Sequence, residues 1–410
     1  MMLDWLIVGG GIHGTHLSLY LTQRKRLSPN SIRVLDPYPE PLALWTHQVS
    51  NTGMEFLRSP HAHNLHYDPF SLVTFARTRA GEPLAQFIDR YSRPSLALFL
   101  AHSRLLIERY RLEAMRLVGR ANGLIRLADG WRVETERGGI EARRVILAMG
   151  NTENPYWPDW AVDLRESGAS VHHIFDPAFD RAALPPSRHV VVLGGGITAA
   201  QAAISLVEAG GGTVTLVMHH PVRIHDFDSD PAWVGMNLPA FLAERDYTVR
   251  RATITAARHR GSMPPDVVRQ LETAVNAGAL SLQFADVSHA AHMPDGQISL
   301  SLSPLNQRDI AASPLRLEAG NLQPTSSLLA DRLILATGFA RPRPGGAWID
   351  RAIMDYDLPT APDGFPIPDP ALCWAEGLYV SGPLAELEVG PVSRNFIGAR
   401  LAAEKIGSRL

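Results

Sequence analysis

The first 36 residues constrain this chain more than any other stretch. Leu3-Asp4-Trp5-Leu6-Ile7-Val8 is a short apolar run that breaks at Gly9-Gly10-Gly11-Ile12-His13-Gly14. A helical pattern carried by Leu17, Leu19, Tyr20 and Leu21 follows, and a second apolar run, Ile32-Arg33-Val34-Leu35, ends on Asp36. The order is strand, glycine turn, helix, strand, acid. Gly9, Gly11 and Gly14 fit GxGxxG, in which each glycine has a separate task. Gly9 makes the tight turn, Gly11 admits a pyrophosphate to the backbone, and Gly14 lets the helix pack on the strand. The helix start adds unpaired N–H groups and the positive end of a dipole. Asp36 stands roughly 20 residues beyond the turn, where an acid meets a ribose hydroxyl. The stretch predicts a dinucleotide-binding βαβ unit.

The pattern returns at Val190-Val191-Val192-Leu193, followed by Gly194-Gly195-Gly196-Ile197-Thr198-Ala199, a helix and a strand over Thr213–Met218. Gly194, Gly196 and Ala199 give the permitted GxGxxA variant. The second strand ends on His219, His220 and Arg223 instead of an acid. An acid there would repel a 2′-phosphate and a cation would hold it, so Arg223 favours NADPH over NADH. Two dinucleotides in one chain point to a flavin and a nicotinamide, FAD and NADPH, with hydride passing between them.

Composition narrows the alternatives. A chain of 410 residues with 45% hydrophobic and 20% charged residues has the makeup of a globular protein of two or three domains. A formal net charge of −2 offers no basic field to nucleic acid or to an anionic membrane. No apolar run approaches the ~20 residues of a membrane helix. With the glycine strand starting at residue 3, no leader is expected and the cytoplasm is the expected location. Cys373 is the single cysteine, which rules out an internal disulfide, a CxxC redox pair and a cysteine zinc site. His61, His63 and His66 do not share a helical face and have no carboxylate set beside them. They read as a polar loop beside a ligand, and no metal is expected.

Further patches carry a family resemblance. Trp45-Thr46-His47 followed by Met54-Glu55, the linker His172-His173-Ile174-Phe175, Asp228-Ser229-Asp230-Pro231-Ala232-Trp233-Val234, and Asp331 through Phe339 with Pro344 are spread over most of the sequence. Together with the two glycine turns they resemble the class B flavoprotein monooxygenases, and among these the enzymes that N-hydroxylate ornithine or lysine side chains. Glu55 stands where that group usually has Gln, and Gly235-Met236 replaces its Asn-Glu. The resemblance implies that NADPH reduces FAD, that a C4a-hydroperoxyflavin forms with molecular oxygen, and that a soft nucleophile is oxygenated, an amine nitrogen of a small molecule first among them. It places Trp45, Met54, Thr337 and Gly338 at the cofactors. Gly382, in the turn after the strand Leu378–Val380, and Pro391, at a helix start, are further expected cofactor contacts. Glu55, His47 and Arg58 are the candidate polar residues at the reacting centre, with Asp226 a further polar contact.

The expected fold is α/β, with two Rossmann-like dinucleotide-binding domains. The FAD domain is discontinuous, over 1–160 with a helical insertion at about 60–118, and again over 328–410. The NADPH domain lies between, at 185–300. Gly390-Pro391 is expected to open a final helix over Val392–Ile406 whose start faces the flavin. The competing functional reading is an FAD-dependent NADPH oxidoreductase that passes electrons to an acceptor without oxygenation. A homo-oligomer is compatible with the sequence.

Overall fold

The computed structural model describes residues 2–410 apart from 211, 307, 309, 311, 312, 319, 323 and 341. Two sheets, each built on one glycine turn, dominate it. In the first, the strands run in the order Cys373–Ala375, Leu378–Val380, Ile140–Leu147, Leu3–Val8, Ile32–Asp36 and Arg116–Val118. Leu3–Val8 is flanked in parallel by its neighbours, with Ile7 opposite Val34 on one side and Ile146 on the other. Trp5, Leu6 and Ile7 are almost wholly buried, as parallel strands covered on both faces require. The Ala121–Leu127 and Gly130–Thr135 hairpin extends this sheet antiparallel from Ile140–Leu147.

The second sheet runs Ser327–Ala330, Ile298–Pro304, Ser281–His292, Thr213–Met218, His189–Leu193, Arg332–Leu335 and Val171–His173. Its centre is parallel and its Ser281–Ala330 edge is antiparallel. The helix Ile197–Ala209 follows the second turn and buries Ala199, Ala200, Ala202 and Ala203. These small residues let it lie close against its sheet.

Two expectations require correction here. The strand Arg332–Leu335 does not return to the first domain. It pairs in parallel with Val190–Leu193 and with Val171–His173, so the second unit extends from the helix Asp159–Glu166 to the end of that strand. A four-residue strand buried at every position has no alternation to say which sheet it joins. The final α-helix begins at Phe396, not at Val392. Pro391–Arg394 forms a 3-10 turn and Asn395 is extended, at φ −94° and ψ 173°. The two segments press together at Gly398, where a Cβ would lie 2.3 Å from the Val392 carbonyl oxygen.

The helix Ala43–Thr52 joins the units. Buried Gln48 donates to the carbonyls of Thr152 (2.7 Å) and Phe175 (2.8 Å). Buried Asn51 donates to Phe179 O at 2.8 Å and accepts from Arg181 N at 2.9 Å. At its end, a Cβ on Gly53 would come within 2.4 Å of Ser205 Cβ on the second-turn helix. No helix among the described residues is long and apolar enough to cross a membrane.

Candidate functional site

The first turn has the geometry its glycines imply. Gly9 adopts φ +107°, and a Cβ there would lie 2.7 Å from Ala148 O. At Gly14 a Cβ would lie 1.7 Å from Gly9 O, so helix and turn touch in a way only glycine permits. At Gly11 a Cβ would meet nothing within 4 Å. Gly11 is extended backbone, so its missing side chain relieves no strain and leaves an open cradle at the start of the helix Ile12–Leu19.

Asp36 lies at the edge of the cradle. Its carboxylate accepts from Gly10 N, Tyr38 N and Arg116 Nη2. Arg116, in the Arg116–Val118 strand, lays its guanidinium over Gly10, whose grafted Cβ would fall 1.5 Å from Nη1. Sequence reading missed this residue because nothing local marks it. It missed His13 as well, although a histidine inside a glycine turn was a visible signal. His13 is buried, and burial lowers its pKa to about 4 against the raising effect of the backbone at Arg394 and Asn395, so the ring is neutral. Its Nδ1 lies 2.8 Å from Ser381 Oγ. Gly382, at φ +65°, packs beside the same imidazole, and its carbonyl accepts from Ser393 Oγ at 2.6 Å. The glycine turn is thereby tied to the 381–393 segment, which includes buried Pro391.

Trp45 stands edge-on to Phe99 and Phe396, with ring centroids 5.4 and 5.7 Å away. Half-buried Met54 ends the same stretch. Trp45, Phe99 and Phe396 form an apolar cluster together with Leu57. His47, Glu55 and Arg58 each have partners of their own. His47 lies 3.5 Å from Asn51 on its own helix. Glu55 is exposed, and its carboxylate accepts from Gln270 Nε2 of the helix Pro265–Asn276 at 3.5 Å. Arg58 is consumed by the 225–228 loop and Ser262. It donates to the carbonyls of His225, Asp226, Phe227 and Ser262, to Ser262 Oγ and to Asp228 Oδ1. Every nitrogen of this guanidinium is thus engaged within the protein. Asp226 pairs with Arg90 at 3.3 Å.

Thr337 and Gly338 follow the strand Arg332–Leu335. Thr337 Oγ1 donates to Tyr156 O and lies 3.0 Å from His173 Nε2. The Gly338 carbonyl accepts from Tyr156 N at 2.9 Å, and Phe339 stacks on Phe175 at 4.5 Å. Both residues thereby anchor the 154–156 linker to the strand Arg332–Leu335 that precedes them. In the second turn, Gly194 has φ +159° and a grafted Cβ would lie 2.6 Å from Ala336 O, while Ala199 is fully buried. Arg223 is exposed at the mouth of this turn and donates to Arg260 O at 3.2 Å.

One buried ion cluster had no sequence signal. Glu386 is fully buried and accepts from Arg251, from Arg258 at 2.9 Å and from Arg394 at 3.0 Å. Burial alone would raise its pKa. The charges of Arg258, Arg394 and Arg251 overcome this and hold it at about 2.

Residues 6–152 match the family model described as FAD-NAD(P)-binding, and residues 90–288 match that of the pyridine nucleotide-disulphide oxidoreductases. No curated protein matches the sequence significantly. Among solved structures, the ornithine hydroxylase of Pseudomonas aeruginosa is 16% identical with a TM-score of 0.72, over 100% of this chain and 98% of that one. The FAD-bound cadaverine monooxygenase of Erwinia amylovora is 14% identical with a TM-score of 0.72, over 100% and 95%. The fold is that of the flavin-dependent N-hydroxylases. The bacillithiol disulfide reductase of Staphylococcus aureus fits less well, with a TM-score of 0.56 at 14% identity over 100% and 99% of the two chains.

Proposed function

We propose that this chain is an FAD- and NADPH-dependent monooxygenase that oxygenates a soft nucleophilic atom of a small molecule, with an amine nitrogen as the preferred target. The observation that carries this reading is the full-length correspondence to the N-hydroxylase fold, with an open first cradle at Gly11. A bound flavin would supply the redox chemistry, taking hydride from the nicotinamide and activating oxygen. The protein's own residues have other tasks. Gly9–Gly11 and the helix start hold the flavin pyrophosphate, and Asp36 holds the adenosine ribose. Neutral His13 fixes the turn to Ser381 and Gly382. The wall of Trp45, Phe99 and Phe396 excludes water, and Gln48 and Asn51 fix the linkers that set one domain against the other. An amine must be neutral to attack, and dry surroundings favour that form.

Measuring NADPH-dependent oxygen uptake against a panel of primary amines and thiols tests the proposal. For at least one amine, hydroxylated product is expected in near one-to-one ratio with NADPH consumed. If every compound leaves peroxide as the sole oxygen product, the monooxygenase reading fails. The oxidoreductase match favours the second reading, electron transfer to an acceptor without oxygenation. Cys373, whose thiol is directed at Ala375 O, has no cysteine partner in the sequence, so such an acceptor would not be an internal disulfide. Arg223→Ala is expected to narrow the preference for NADPH over NADH on the order of tenfold, the value of one lost charge-assisted contact. The ratio of kcat/KM for the two cofactors measures this, and an unchanged ratio removes Arg223 from the site.

A further inference from the structure

The two glycine turns differ in what stands over them. The first is open at Gly11. At Gly196 a grafted Cβ would meet the Cα of Gly261 at 3.3 Å. At Gly195 it would meet His220 Nε2 at 2.4 Å, and at Gly261, itself at φ +67°, it would meet the same Nε2 at 2.4 Å. The His220 imidazole is thus sandwiched between the second turn and the segment His259–Ser262. That segment's backbone passes where a pyrophosphate must approach.

The segment is held from three sides. Arg58, from the first domain, donates to Ser262 Oγ at 2.8 Å and to Ser262 O at 3.4 Å. Arg223 donates to Arg260 O, and Ser262–Met263 pairs with Arg223–Ile224. Just before it, Arg258 reaches Glu386 at 2.9 Å and Pro391 O at 3.2 Å.

We propose that His259–Ser262 is a strap that closes the second dinucleotide site, and that Arg58 is the positioning residue that holds it shut. This rests on the nicotinamide reading of the second unit. The dinucleotide binds the fraction of molecules whose strap has lifted, so its apparent affinity is reduced by that fraction. Because the clamp belongs to the flavin domain, seating the dinucleotide is coupled to how the two domains meet.

Gly261 separates the strap from a conventional lining role. If Gly261 simply lines an open site, a methyl group there intrudes on the ligand and weakens binding. If it belongs to a closed strap, the methyl strikes His220 at a backbone angle that disfavours any side chain, and the closed state loses ground. NADP+ titration of the flavin-loaded protein decides between these. Gly261→Ala and Arg58→Ala are each expected to lower the Kd for NADP+ on the order of tenfold with flavin content unchanged. In stopped-flow mixing, the wild-type association rate is expected to level off with rising NADP+, and that of the variants to keep rising. A Kd unchanged or raised overturns the strap. If Arg58→Ala does not fold, Gly261→Ala carries the test. Wild-type binding whose rate rises linearly overturns the strap while leaving the nicotinamide reading intact. Absence of NADP+ binding in the wild type and the loosened variants overturns both.

Discussion

Gly11→Val is expected to give a folded protein that retains almost no flavin. Gly11 has ordinary extended backbone, which valine adopts without strain, and a Cβ there meets no protein atom within 4 Å. The added side chain projects into the space reserved for the pyrophosphate, so the ligand alone feels it. Apoprotein stability should change by no more than about 0.5 kcal/mol, as for a substitution on open surface. Gly14→Ala is the contrasting control. Its methyl would sit 1.7 Å from Gly9 O, and overpacking at the helix–turn contact should cost about 2–3 kcal/mol whether or not flavin is present. Absorbance of bound flavin and thermal melting of the two apoproteins separate the effects. Full flavin content in Gly11→Val would remove the first turn from the cofactor site.

Glu386→Ala is expected to destabilise the fold by about 3 kcal/mol. Removing one partner of a buried ion pair costs about 3–5 kcal/mol because the other charges remain. The lower end applies here, since Arg251 and Arg394 keep part of their side chains in solvent. The effect should depend on pH in one direction. The folded carboxyl, at about 2, lies below the ordinary range near 4. Its stabilisation is therefore complete above the unfolded value and is lost as pH falls from there towards 2. Denaturant unfolding of wild type and Glu386→Gln at pH 7 and in acid checks this. The stability gap should shrink in acid, and a gap that does not change would mean the carboxylate charge is not what holds the cluster.

How much of this was legible beforehand varied with the distance over which each feature is built. The glycine turns, Asp36 and the flanking strands lie within single βαβ units, and each residue type there has a local steric reason. The strand Arg332–Leu335 was recognisable as a strand, but sheet membership is decided by pairing with Val190–Leu193, far away in sequence. Arg58 stood out as a charge near the first site. Its actual partners are mostly backbone carbonyls of 225–227 and Ser262, and a carbonyl has no residue signature to read. Glu386 gathers Arg251 and Arg258 from well over a hundred residues upstream, so the cluster exists only once the chain is folded. The family resemblance brought Glu55 and His47 forward, but their partners, Gln270 for Glu55 and Asn51 for His47, appear only in the folded chain.

The most direct test of the monooxygenase proposal is the fate of oxygen at the reduced flavin. The protein is reduced by NADPH under anaerobic conditions and mixed with oxygenated buffer while peroxide release and flavin absorbance are followed together. Peroxide release delayed by seconds or longer, and diverted to product when an accepted amine is present, is the expected result. Immediate stoichiometric peroxide, unaffected by any amine or thiol, would contradict it.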